Sequence, residues 1–402
     1  MSKKIRGALL AALCGAAAFL FLFWLPNLFF PIPPPDPNAE YLAWFAGRAG
    51  PSFTERAGRP GEVCTNPLLS RLDNGEVCFD KKKKPGALRI FCVGGSTTRG
   101  WPFHRTGAYP EMLAAYLRRS FPGRETEVIN AGFMVSDTVT DLPLMEELAA
   151  YAPDIFLVYE GRNDAINSAS HGAAARLARD AHLWLDGRLY AYGALRRLVL
   201  GAGMNNALGF RLACRLASWR GEDRRKREFT ANILKMRAAA EAAGARAVFL
   251  TQAAYPPEKI ERPDPDRAQR AALALSSGRP RDLAVRLEEE TLLANDWLEQ
   301  AAAAEGLELL RIDKAFGSAG AERLLIAPPL THPNREGYCL MAGAAGRYLA
   351  ETTPALRGGA AAGDFCGSLP PPGPEPYTRV SETFKLLGYG GYAALYASKA
   401  GR

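Results

Sequence analysis

Hydrophobic and polar positions alternate differently in successive stretches of the chain. From Gly7 to Pro33 no charge occurs, in the run GALLAALCGAAAFLFLFWLPNLFFPIP. About 20 apolar residues suffice to cross a bilayer, so residues 7–31 are expected to form a transmembrane anchor behind a six-residue cytoplasmic N-terminus. Residues 32–86 begin within the stiff spacer PIPPPDPN (31–38) and then sustain no period, which predicts a loop-rich preface. From Ala87 short, near-continuous apolar runs appear at 87–93, 126–130, 154–159, 245–252 and 307–312. Such runs read as strands buried on both faces. Helical spacing fills the gaps in YPEMLAAYLRRSF, in FTANILKMRAAAEAAGA and in NREGYCLMAGAAGRYLAE, which follows Pro333. This alternation predicts an α/β fold, a three-layer α/β/α sandwich with a mostly parallel sheet, over residues 87–353.

Two stretches break the alternation. Residues 171–228 read as a helical insertion rich in Leu, Arg and Trp. Its arginines scatter through RLYAYGALRRLVL, which favours extra helical packing over a lid or a membrane-facing surface. Residues 255–282 look irregular and leave the carboxyl end of a strand, so they are expected near the site. The extension 354–402, with SLPPPGPEP and LGYGGYAALYASKAGR, reads equally as an ordered wrap or a flexible end.

Composition adds modest constraints. The 402 residues are 48% hydrophobic and 23% charged, as in ordinary globular proteins. The net charge of +8 is concentrated in runs such as Lys81–Lys84 and Arg224–Arg227. These lack the interleaved aromatics of a nucleic-acid face, so no nucleic-acid partner is expected. Lys3, Lys4 and Arg6 precede the apolar span and place the N-terminus in the cytoplasm, with everything after the span outside. No small-x-small site follows Phe30, which favours a retained anchor over a cleaved signal peptide. The expected location is the inner (cytoplasmic) membrane, single-pass, with the folded domain on the periplasmic side. The oligomeric state is left open. Of seven cysteines, Cys14 falls in the span. The other six allow three bridges in fifteen pairings. Cys64 and Cys78 flank the turn RLDNGEV and make the first choice, while Cys92 lies in a strand and reads as a buried free thiol. No Cys-x-x-Cys or His cluster calls for a metal or cofactor.

The first strand runs into LRIFCVGGSTTRGWPF. Gly95 and Gly100 have P-loop spacing, but Trp101 stands where the lysine belongs. A Gly-x-Ser-x-Gly elbow also fails, because Thr98 replaces its last glycine. What remains is Ser96 at the carboxyl end of a strand, where open α/β sheets bind ligands. VINAGFMVSDT leaves the second strand with Gly132, YEGRNDA leaves the third with Gly161, Asn163 and Asp164, and LTHPNREGY carries His332 before the last helix.

In order and type these four blocks resemble the SGNH (GDSL-like) hydrolase superfamily, in its bacterial GGSTT form, over residues 87–352. The resemblance implies a flavodoxin-like fold and a serine esterase or acyl hydrolase. It implies Ser96 as nucleophile and His332 as its base. The oxyanion hole would be the N–H groups of Ser96 and Gly132 with the Asn163 side chain; Gly95, Thr97 and Arg99 flank the nucleophile. Members usually carry an Asp three residues before the His, but here that position is Pro329. Either a backbone carbonyl holds the ring, or a carboxylate such as Asp164 or Glu336 substitutes, or the site is degenerate. The expected substrate is an O-acyl ester, an O-acetyl glycan or a lipid. An O-acyltransferase and a silent envelope binding protein stand as alternatives. His104, His171 and His182 lack motif context and read as structural.

Overall fold

Leu88–Gly94 runs fully buried through a five-stranded parallel sheet in the computed structural model of the chain. Residues 25–30, 50–72, 75–167, 222–261 and 280–359, scattered positions between 177 and 190, and most of 363–401 are described. Two units separate: residues 1–50 with 170–210, and 51–169 with 211–402.

In the first unit Leu25–Leu28 is a 3-10 turn. The Asn27 side chain donates to the Arg188 carbonyl at 2.7 Å and accepts from the Tyr190 N–H at 2.6 Å, and Phe30 stacks on Tyr190. Residues 7–24 of the expected anchor lie outside the described residues, as does most of the insertion. No helix among the described residues is long and apolar enough to cross a membrane.

The second unit opens with an antiparallel sheet: β1 (Phe53–Glu55), β2 (Glu62–Thr65) and β3 (Cys78–Asp80), with α1 (Pro67–Leu72) between the last two. Cys64 and Cys78 face each other across β2 and β3 and are joined by a disulfide. The preface is therefore more ordered than its weak periodicity suggested; strands of three or four residues are too short to establish a two-residue rhythm.

The main sheet follows: β4 (Leu88–Gly94), α2 (Ser96–Arg99), α3 (Tyr109–Ser120), β5 (Thr126–Gly132), α4 (Thr138–Leu148), β6 (Ile155–Tyr159), α5 (Arg162–Asn167), α6 (Glu222–Ala242), β7 (Arg246–Leu250), α7 (Pro280–Glu305) and β8 (Glu308–Leu310). Residues 222–228, assigned above to the insertion, open α6 without a break. After β8 come α8 (Ile312–Ala319), α9 (Ala321–Leu324), α10 (Arg335–Thr352), α11 (Glu375–Leu387) and α12 (Gly390–Ala400). The strand order is β5-β4-β6-β7-β8, all parallel. The order reverses at β4, so the carboxyl ends of β4 and β6 flank the switch point where such sheets bind ligands.

Alternate residues of β4 serve opposite layers, as the two-residue period requires. Leu88, Ile90 and Cys92 join one core with Met112, Leu113 and Leu117 of α3 and Met341 and Ala345 of α10. Phe91 packs on Phe79 of the small sheet and on Phe156. Arg89 is completely buried. Its guanidinium pairs with Glu127 at 2.5 Å and donates to the Tyr151 and Asp80 carbonyls at 2.7 Å, which ties the preface to the sheet. Removing one partner of a buried ion pair leaves the other uncompensated. Arg89→Met should therefore lower the unfolding free energy by about 3–5 kcal/mol, read as a lower urea midpoint.

The C-terminal extension is ordered where it is described. Cys339 of α10 is bonded to Cys366, and Arg335 donates to the carbonyls of Cys366 and Leu369. In α11 and α12, Phe384 stacks on Tyr396, and the Tyr396 hydroxyl accepts from the Ala327 N–H. Cys92 is free and buried, while Cys214 lies outside the described residues, so two of the three conceivable bridges are seen.

Candidate active site

Gly95 occupies the N-cap position of α2 and offers no side-chain cap, so Ser96 is the first helical residue. A first-turn N–H has no partner inside its own helix. The Ser96 hydroxyl is thus not spent on capping and stands 2.7 Å from His332 Nε2. His332 sits between α9 and α10 on a clamped loop. Its carbonyl accepts from the Ile326 N–H, Leu325 bridges Pro333, and Asn334 caps α10 by accepting from the Gly337 N–H.

The far ring nitrogen answers the question left by Pro329. His332 Nδ1 lies 3.1 Å from the Leu330 carbonyl oxygen. A carbonyl only accepts, so the proton sits on Nδ1 and Nε2 is left to accept from the serine hydroxyl. That is the tautomer a general base needs, obtained without a carboxylate. Burial pulls the imidazole down to about 4; the Arg162 charge adds to this and the Leu330 bond opposes it. The Trp101 ring lies 4.5 Å from the imidazole.

The two carboxylates considered for the ring are elsewhere. Asp164 accepts from the N–H and hydroxyl of Thr138 and so anchors the start of α4. Glu336 pairs with Arg323 on the surface, where both side chains are 64% exposed.

Asn163, in the first turn of α5, donates through Nδ2 to the Ser136 carbonyl at 2.6 Å. An amide NH₂ has two donors, so one remains for a ligand. Gly95 makes this approach feasible: a Cβ there would lie 2.5 Å from Asn163 Nδ2. Gly132 behaves differently from the expectation. Its N–H donates to Asn130 Oδ1 at 3.0 Å within β5, so it is not available as an oxyanion donor. Its missing Cβ instead admits the backbone of Thr98 and Arg99 in α2. Thr97 follows Ser96 half-buried, and the Arg99 side chain is buried.

The residue beside Asn163 that sequence reasoning missed is Ser136. Its only sequence signal is the SDT triplet, whose Asp137 caps α4 by accepting from Val139 and Thr140 N–H groups. Val135, just before it, has φ of 63°, a left-handed conformation costly for a β-branched residue. Beneath this loop Asp137, Asp141 and Glu160 are buried together, and the Ser136 hydroxyl donates to Glu160 at 3.4 Å. Burial first, then the charge of Asp141, raises Glu160 well above the carboxylate range, and burial pushes Asp141 up to about 7.

A serine, an imidazole in the base tautomer and an amide donor at a strand-end switch point suit acyl transfer. Residues 92–340 match the model of the GDSL-like Lipase/Acylhydrolase family. The chain belongs to that family. As a GDSL-like protein it is a serine hydrolase of ester bonds. Solved structures similar to it include LAE5, an alpha/beta hydrolase enzyme from the metagenome of Lake Arreo, at 15% identity and TM-score 0.40, covering 67% of this chain and 96% of that one. The lipase/acylhydrolase from Enterococcus faecalis is similar at 16% identity and TM-score 0.38, covering 66% and 96%. So is Axe2, an acetylxylan esterase from Geobacillus stearothermophilus, at 16% identity and TM-score 0.39, covering 69% and 100%. No curated protein matches the chain.

Proposed function

We propose that this GDSL-like hydrolase cleaves O-acyl esters of the cell envelope through an acyl-enzyme on Ser96, with His332 as its base. The observation that carries the reading is the Ser96–His332 contact of 2.7 Å with the ring's other nitrogen held by a carbonyl. Nε2 takes the hydroxyl proton as Oγ attacks the ester carbonyl. The Ser96 N–H and the second Asn163 N–H face the developing oxyanion. Collapse breaks the ester C–O bond, and His332 returns its proton to the departing alkoxide. Water then attacks the acyl-enzyme, giving a proton to Nε2, and the carboxylic acid leaves as Ser96 recovers its hydrogen.

The location outside the cytoplasm rests on the uncharged run 7–31, proposed as a membrane anchor, and on two disulfides, which persist in oxidising compartments. An anchored, outward-facing enzyme is apposed to acylated glycans and lipid esters, and these are the proposed substrates. A fluorophosphonate probe tests the chemistry. It should label the folded protein at Ser96, and Ser96→Ala should remove the label. Failure to label folded wild-type protein would overturn the reading.

A further inference from the structure

Glu288, on α7, is a completely buried carboxylate far in sequence from every motif above. It touches three segments that follow strands or precede a helix: Arg162 at the start of α5, Tyr255 after β7 and Thr331 before α10. One oxygen accepts from the Thr331 hydroxyl at 2.6 Å and pairs with Arg162 Nη2 at 3.0 Å; the other accepts from the Tyr255 N–H at 2.7 Å. Thr331 lies between Leu330, whose carbonyl holds the imidazole, and His332 itself. Arg162 precedes Asn163. Two turns further along α7, buried Asn295 exchanges hydrogen bonds with the backbone of Gln252, whose side chain accepts from the Arg162 N–H. Positions 288 and 295 are seven apart and share a helix face, so α7 turns a buried polar stripe toward the site loops.

We propose that Glu288 is the positioning residue that replaces the missing acid before His332, acting through Thr331 on the Leu330 carbonyl and through Arg162 on the segment that carries Asn163. A loop carbonyl orients a ring only as well as its own peptide is fixed. Thr331 has a single hydroxyl proton, and it is committed to Glu288. The carboxylate therefore reaches His332 through one side chain and one peptide instead of directly. It also balances Arg162, whose charge would otherwise stand half-buried and unpaired beside the imidazole. A buried charge is retained only where partners satisfy it, and here two of its three partners, Thr331 and Arg162, adjoin His332 and Asn163.

The inference rests on the Ser96–His332 reading, and one experiment separates the two. The fluorophosphonate labelling rate, and kcat and KM for p-nitrophenyl acetate, are measured for wild type, Glu288→Gln, Thr331→Val and Thr331→Ser. Glu288→Gln and Thr331→Val should each lower kcat and the labelling rate by roughly 10–100-fold with KM within about twofold, as loosened positioning does. Thr331→Ser, which keeps the hydroxyl, should stay within about threefold of wild type, and the two damaging changes should not add in the double variant. A labelled wild type with Thr331→Val equally active overturns the inference alone. Loss in Glu288→Gln that only follows the unfolded fraction, with Thr331→Ser as impaired as Thr331→Val, also overturns it. An unlabelled wild type overturns the Ser96 reading and the inference with it.

Discussion

Replacing His332 with alanine should lower kcat by roughly 10⁴–10⁶-fold, the range expected when the base of a serine hydrolase is deleted. The reason is geometric and electronic together. Nε2 is the one basic atom within hydrogen-bond reach of the Ser96 hydroxyl among the described contacts, at 2.7 Å. Without it the hydroxyl has nowhere to send its proton. The wild-type pH profile should carry a matching signature. A protonated imidazole cannot accept, so kcat/KM falls as pH drops through the pKa of His332. Burial lowers that pKa from the ordinary 6.5 toward about 4, so the acidic limb should lie well below pH 6.5. Among the described contacts of its ring there is no carboxylate that would raise the pKa. A profile from pH 3 to 9 locates the limb; a midpoint at or above 6.5 would contradict the carbonyl-held imidazole.

What was legible in the sequence follows from how each feature is encoded. β4 and β6 are buried along their whole length, so each wrote an uninterrupted apolar run, and Leu88–Gly94 was found to within one residue. Ser96, Asn163 and His332 were legible as candidates because each lies in a recognisable block just before a helix or in its first turn. α7 was not, although it is the longest helix described. Its buried face carries Glu288, Thr291 and Asn295, which break the apolar stripe by which a helix announces itself. Two of the residues that hid the helix, Glu288 and Asn295, are those that bind the segments around the site. The Leu330 contact had no signature at all, because every residue has a carbonyl. Gly132 was assigned an oxyanion role that its own neighbour removes: whether Asn130 turns its side chain onto that N–H is settled by packing against Arg99 and Arg105, far along the chain. The extension was opaque for a further reason. The Cys64–Cys78 bridge of the preface was the first choice from the sequence, whereas the Cys339–Cys366 bridge that ties the extension to α10 was not, because pairing over that span is a property of the fold.

Asn163→Ala should lower kcat by about 10²–10³-fold and leave KM nearly unchanged, as loss of one oxyanion donor does. Asn163→Asp distinguishes a donor from a spacer. At pH 8 an ionised Asp has no donor, and it would face the Ser136 carbonyl with Asp137, Asp141 and Glu160 buried beneath the same loop. Loss at that pH should match or exceed that of the alanine variant. These surroundings disfavour the charge, so the introduced carboxyl should protonate above the usual carboxylate range. Once protonated it has one O–H to offer. Because burial keeps His332 neutral down to about pH 4, there is a window in which the base still works while the new acid can donate. Activity of Asn163→Asp relative to Asn163→Ala should therefore rise as pH falls from 8 to 5. Measuring kcat for both variants across that interval checks it. A ratio that stays flat would mean that the side chain at 163 only holds the Ser136 loop and never meets the oxyanion.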